Sequence, residues 1–218
     1  YDVLVIGSGA SGLSLALQIA EYADVAVLSK ADLSEGATLY AQGGISAVLD
    51  VYDTIDSHVE DTLKAGAGLC NQEIVRFVVE QGRESIQWLI DIGVHFTKNP
   101  IPNGHEYHLH QEGGHSHRRI IHAADSTGKE IENTLEGLVR AHPRISLFDH
   151  HTAVDLITAA KLGLTDNRCL GAYVYDQKHD KVKVFRARFT VLATGGAGKV
   201  YLYTSNPDRC SDFKIFNA

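Results

Sequence analysis

Tyr1–Ile6 (YDVLVI) is a short apolar run rich in β-branched residues, and a glycine triplet follows it at once. Runs of this length and composition form buried strands. Gly7, Gly9 and Gly12 stand in GxGxxG spacing, after which Leu13, Ala16, Leu17 and Ala20 recur at i, i+3, i+4 and i+7. That repeat marks one apolar face of a helix. A second β-rich run, Asp24–Leu28 (DVAVL), closes the unit. Strand, glycine turn, helix and strand in this order open a parallel βαβ sheet, with a right-handed crossover expected. The first glycine permits a tight bend and the second lets the backbone approach a pyrophosphate. The third lets the helix pack close to the strand, and the phosphates sit at the helix N-terminus. In this context the spacing points to a Rossmann-like dinucleotide site; without the context it is an ordinary strand–helix turn.

Folds that bind NAD place an acidic residue about 20 positions on, to hold the ribose. Here the second run ends in Ser29–Lys30, a hydroxyl and an ammonium suited to ribose and phosphate, which weighs against NAD. Ala193–Gly196 (ATGG), after the run Phe189–Leu192, is a second glycine turn, which reads either as a closure over a dinucleotide or as a routine strand end. There is no second GxGxxG, and so no sign of a separate NAD(P)H fold.

The remainder reads as an α/β chain. Apolar residues make up 44% of the 218, enough for a real core. The net charge of −7 is spread without a basic patch, which excludes a nucleic-acid surface. No apolar stretch approaches the roughly 18 residues of a membrane span, and no secretory leader is read. Cys70, Cys169 and Cys210 have neither disulfide-framework nor CxxC spacing, so a reducing cytoplasm is expected. Thr38–Val48 reads as a shaped loop entering a strand or short helix, and residues 58–67 as helical. Asn71 is placed to cap a helix reaching Ile92, with Ile74, Val75, Val78, Ile86, Leu89 and Ile90 on its apolar face. Residues 94–122 read as surface loop, and a helix over 128–141 directs Ile131, Leu135 and Leu138 inward. Strand runs at 145–148, 153–158, 169–176, 181–187 and 189–192 predict a small antiparallel β-meander and a return to the main parallel sheet.

His105, His108, His110, His115, His117 and His122 crowd one segment in HxxHxH and HxH spacings. Such spacings could gather nitrogens around a metal, but no cysteine lies near and HExxH is missing, so no metal is expected. The better reading lines an anionic substrate pocket with some of these histidines and Arg118 or Arg119. Glu112, taken alone, is an exposed loop acid.

Longer stretches carry a more specific signal: GSGASGLSLAL (Gly7–Leu17), VLSK (Val27–Lys30), EGATLYAQGGISAV (Glu35–Val48), DSHVEDTLKAGAGLC (Asp56–Cys70), QWLIDIGVHF (Gln87–Phe96), EGGHSHRRIIHAADSTG (Glu112–Gly128), AVDLI (Ala153–Ile157) and VLATGGAGKVYLYTSNPD (Val191–Asp208). In them the chain resembles the FAD domain of the succinate dehydrogenase, fumarate reductase and L-aspartate oxidase superfamily, leaning to the L-aspartate oxidase branch. The resemblance implies FAD as cofactor, with Ser8, Ala10 and Ser11 joining the three glycines around its diphosphate and Ser29–Lys30 contacting the nucleotide. Membrane-bound members carry a flavin-linked histidine at the position of Ala37, so non-covalent FAD is implied. Thr38, Leu39, Tyr40, Ala41, Gln42, Gly43 and Gly44 are implied to wrap the pyrophosphate and approach the isoalloxazine. Ala153 and Val154 match the segment that meets the adenine, and Ala193, Thr194 and Gly195 the second turn.

The resemblance further implies that Glu112, His115 and Ser116 lie near substrate, and that no metal is used. The implied reaction converts L-aspartate to iminoaspartate, with electrons passing through FAD to oxygen or fumarate. In bacteria that step opens NAD biosynthesis, quinolinate synthase consuming the imine. A soluble fumarate reductase or succinate-oxidising flavoprotein is the rival, and a non-catalytic FAD-binding fragment the third possibility. Residues 1–208 correspond to an incomplete FAD domain and 209–218 do not match. The catalytic base, capping domain and C-terminal helical domain of the family follow this region, so the isolated chain is expected to be inactive.

Overall fold

The computed structural model describes residues 1–100 and 106–204; His105, Cys210 and the unmatched segment 209–218 lie outside them. In chain order the elements are β1 (Val3–Ile6), α1 (Ala10–Ile19), β2 (Val25–Leu28), β3 (Ile45–Ser46), α2 (Ile55–Ala65), α3 (Gln72–Asp91), β4 (Leu109–His110), β5 (Ile120–Ile121), α4 (Thr127–Ala141), β6 (Ile145–Phe148), β7 (His151–Thr158), β8 (Cys169–Asp176), β9 (Lys181–Arg186) and β10 (Phe189–Leu192). Contacts gather them into two units: Tyr1–Tyr40 with the described residues from Glu132 onward, and Ala41–Ile131.

The first unit is built on a four-stranded parallel sheet in the order β10-β1-β2-β6. All eight residues of β1 and β2 are buried, which explains why both strands read as unbroken apolar runs rather than alternating ones. Leu4, Ile6, Ala26 and Leu28 form one core with Ala172, Val174, Phe185 and Ala187 of the antiparallel meander β7-β8-β9 and the residue just after it. α1 packs on β1 and β2 through Leu13 and Ala16, both fully buried. The predicted return to the main sheet is β10, paired in register from Val3–Phe189 to Ile6–Leu192.

The second unit carries α2, α3 and a small antiparallel sheet, β3-β5-β4. Thr54 and Asn71 cap the two helices, each side chain accepting from the amide three residues on. α2 therefore starts at Ile55, before the predicted residue 58. The predicted face of α3 needs correction: Val79 and Ile86 are buried, while Ile74 and Val78 are exposed. The inner stripe is Val75, Val79, Gly82 and Ile86; Val75 and Val79 pack against Val48, Val59, Ile55 and Leu63, and Gly82 lies against Ala47. A similar correction applies to α4, where Val139 is buried and Leu138 is not, because Ile131, Leu135 and Val139 repeat every four residues. Residues 94–122 are also more than loop. Leu109, Ile120 and Ile121 are buried in strands of two residues each, too short to leave a readable period. Among the described residues no helix is long and apolar enough to cross a membrane.

Candidate functional site

Three parallel strands of the first unit end together around the glycine turn. The Gly7 amide donates to the Leu28 carbonyl at 3.0 Å and the Ala193 amide to the Ile6 carbonyl at 2.9 Å. Gly7 has φ of +122°, and a Cβ there would lie 2.1 Å from the Ala193 carbonyl oxygen. A Cβ on Gly12 would lie 2.1 Å from the Gly7 carbonyl oxygen, so the helix can seat against the turn only with glycine at that position. Gly9 is the N-cap of α1 and offers no side-chain cap; the Ala10 amide donates instead to Thr38 Oγ1 at 3.1 Å. First-turn amides have no intrahelical acceptor, and a helix start carries about half a positive charge. Here Ala10 and Ser11, which bear two of those amides, line a cavity of about 520 Å³. Its remaining walls are Gly7–Gly9, Ser29–Lys30, Glu35–Thr38 and Leu192–Gly196. That volume suits a small-molecule site. A larger hollow of about 950 Å³ is lined by meander residues such as Leu162, Arg168 and Tyr173, and shares no residue with the glycine turn.

The second unit holds the histidine-rich segment. Glu112 lies between β4 and β5, its carboxylate exposed and bonded at Oε1 to His110 Nε2 at 2.9 Å. A Cβ on Gly43 would come within 4.0 Å of that oxygen, so Gly43 and Glu112 are brought together. Gly44 is pressed beneath β5, where a Cβ would lie 2.3 Å from the Ile121 carbonyl oxygen. Ser116 donates from both its amide (2.7 Å) and its hydroxyl (2.8 Å) to Asp61 Oδ2. Arg119 donates to the same oxygen through Nη1 at 2.8 Å, and grips Asp53 with Nε and Nη2, each at 2.8 Å. Burial pushes the Asp61 carboxyl up, but the Ser116 bonds and the Arg119 charge outweigh it and hold the group below its ordinary range. The loop bearing Glu112, His115 and Ser116 is thus pinned by a fully buried guanidinium.

This corrects one expectation: Arg119 cannot line an anionic pocket, because two carboxylates consume its donors inside the protein. Arg118 is exposed. His115 is half-buried, its ring 5.7 Å from that of His58, whose pKa is lowered by burial and by the charge of Arg119. His108 Nδ1 meets His122 Nε2 at 2.8 Å, and His110 stacks on His122 with centroids 4.5 Å apart. Among the described residues, the donor set that converges as metal ligands do is a different one, Asp32, Asp149 and His150. It is a surface ion-pair group in which His150 engages Asp32 and Lys178 engages Asp149.

The profile of the FAD binding domain family matches residues 2–211. The chain belongs to that family. It is 62% identical over 212 residues to an L-aspartate oxidase of Pseudomonas aeruginosa, and 59% identical over 209 residues to one of Yersinia pestis. Each match covers 95% of this chain and 39% of the relative, so the chain spans about two fifths of the length of these curated relatives. Among solved structures it superposes on an E. coli quinol fumarate reductase with a TM-score of 0.87 and 29% identity, covering 96% of this chain and 35% of that one.

As an FAD-binding domain the first unit passes a chemical test at the glycine turn. A diphosphate needs backbone amides within reach, no Cβ in the way and a positive local potential. The turn supplies all three at Gly7–Ser11, with Lys30 on the cavity wall. Ala37 also lines it and carries no nucleophile to bond a flavin. The cavity gathers Gly7–Ser11, Ser29, Lys30, Ala37, Thr38 and Ala193–Gly195 from the sequence-predicted set. Gly12 lies buried under the turn, Leu39 and Tyr40 follow beyond the wall, and Ala153 and Val154 sit on β7 beside a β-bulge. Ala41–Gly44 belong to the second unit. Glu35, Gly36 and Leu192 line the cavity without having been singled out. The available signal was position, since Glu35–Gly36 stand between two residues already implicated, Lys30 and Ala37.

Proposed function

We propose that this chain is the FAD-binding part of an enzyme that oxidises L-aspartate to iminoaspartate. Support comes from the names of its relatives and, within the molecule, from one observation that carries the reading: the exposed carboxylate of Glu112. L-Aspartate is succinate with an α-ammonium. A site for a plain dicarboxylate gains nothing from an added anion, whereas a carboxylate beside the ammonium favours aspartate. FAD, when bound, supplies the two-electron oxidant for the Cα–H bond of the substrate and passes the electrons to oxygen or fumarate. Gly7–Gly12 and Thr38 hold the diphosphate, and Ser29 and Lys30 the nucleotide beyond it. Ala193–Gly195 close that side, and Ala153–Val154 serve the adenine. Leu39–Gly44 continue toward the ring. Glu112 orients the ammonium, with His115 and Ser116 beside it on a loop that Asp61 and Arg119 keep rigid. No residue of this chain is assigned as the catalytic base. The imine would feed NAD biosynthesis in the cytoplasm, with quinolinate synthase as its consumer.

A soluble fumarate reductase or succinate-oxidising flavoprotein is the second reading, favoured by the close superposition on a quinol fumarate reductase. The deciding experiment uses the intact, flavin-loaded protein without oxygen. L-Aspartate should bleach the flavin absorbance and succinate should not. Bleaching by succinate alone moves the assignment to the second reading, and bleaching by neither defeats both.

A further inference from the structure

The register of β4 and β5 brings His108, His110 and His122 together. Leu109 pairs with Ile121 and His110 with Ile120. One step further along this antiparallel ladder His108 faces His122, and His108 and His110, two apart on one strand, share a face with it. Thr97 fixes the backbone of both strands: its amide donates to the His122 carbonyl at 2.8 Å, and its carbonyl accepts the His108 amide at 2.9 Å. The rings are then ordered by their partners. His122 Nδ1 lies 3.2 Å from the Ala124 carbonyl oxygen, which can only accept, so Nδ1 carries the proton. In the neutral ring Nε2 is the acceptor, and His108 Nδ1 donates to it at 2.8 Å. Held at both nitrogens, His122 offers a fixed face.

His110 stacks on that face, with centroids 4.5 Å apart and ring planes 14° from parallel. Its Nε2 meets Glu112 Oε1 at 2.9 Å, and because a carboxylate only accepts, His110 is the donor. Gly43 approaches the same oxygen, so Oε1 is taken up on the protein side, and Oε2 of this exposed side chain is left to meet a cation. An unanchored glutamate gives up rotamer freedom when it engages a ligand, which weakens binding. We propose that His110 is a positioning residue for substrate specificity: stacked on the His122–His108 pair, it donates to Glu112 Oε1 and holds the carboxylate where the α-ammonium of L-aspartate meets it. The role rests on the L-aspartate reading of the site, and it does nothing for a dicarboxylate that lacks the ammonium.

The test uses the intact, flavin-loaded protein. His110→Phe keeps a ring on His122 and removes the donor, whereas His110→Gln removes the ring and places an amide N–H at the reach of Nε2. His110→Phe should lower kcat/KM for L-aspartate about fivefold, the scale of one hydrogen bond, while the inhibition constant of succinate moves less than about twofold. His110→Gln should recover kcat/KM to within about twofold of the wild type. In a Glu112→Gln background His110→Phe should cost less than about twofold more, because the two side chains act as one unit. An unchanged kcat/KM in His110→Phe, an equal effect on succinate, no recovery in His110→Gln or full additivity with Glu112→Gln each overturns the proposal. Should His110→Phe not take up FAD, His110→Leu is read in its place, and loss of FAD by both makes His110 a structural support and overturns the proposal too. A wild type that leaves L-aspartate unoxidised defeats the proposed function, whereas one that oxidises it as fast as the variants do defeats the positioning role alone.

Discussion

Glu112 and Glu132 are both glutamates, one exposed and one buried, and their surroundings give them opposite chemistry. Glu112 is in water, with His110 at 2.9 Å as its neighbour, and is free to meet a cation. Replacing it with glutamine keeps the shape and the contact to His110 but removes the charge. Charge-assisted hydrogen bonds contribute about 1.5–3 kcal/mol, so Glu112→Gln in the intact enzyme should lower kcat/KM for L-aspartate by roughly ten- to a hundredfold. Fumarate reduction, with no ammonium to hold, should fall much less. Equal losses on the two substrates would remove Glu112 as the discriminating residue. Sequence pattern could list both acids but not separate them, since solvation is a property of the folded surroundings. Glu112 drew notice only through its motif, and Glu132 drew none.

Among the elements that shape the cradle, the junction of β1 and α1 leaves no room for a side chain. Gly12→Ala would place a methyl 2.1 Å from the Gly7 carbonyl oxygen, which is backbone and has no rotamer to yield. The helix must then lift from the strand. Overpacking of this kind costs about 1–3 kcal/mol, and the shift carries the first-turn amides away from the phosphate. The expected result is a lower unfolding midpoint in urea together with FAD affinity at least tenfold weaker; unchanged values for both would mean the junction is looser than drawn. This element was legible because the chemistry of the turn demands glycine at set intervals. The buried face of α3 was less legible. Ile74, Phe77 and Val78 offer a second apolar stripe beside Val75, Val79 and Ile86, and hydrophobicity alone cannot say which stripe meets α2.

For the whole molecule, a ligand that binds the folded state and not the unfolded one stabilises it by mass action, about 2.7 kcal/mol at a hundredfold excess over Kd. Thermal melts of the intact protein stripped of flavin should therefore rise with added FAD and keep rising with its logarithm. A midpoint indifferent to FAD would contradict the cradle as a binding site. At this scale the sequence by itself determined the class of fold, the parallel sheet with its meander, and the glycine turn, because these rest on local periodicity and on steric demands written into single residues. Only the tertiary structure decided which charges are usable. Arg119 reads as a pocket cation in sequence and is locked between Asp53 and Asp61 in space, while Glu132 carries no signal in the sequence and lies buried. The physical reason is that ionisation depends on desolvation and on partners that lie 58 or 66 residues away along the chain in the case of Arg119, and no local pattern carries that information.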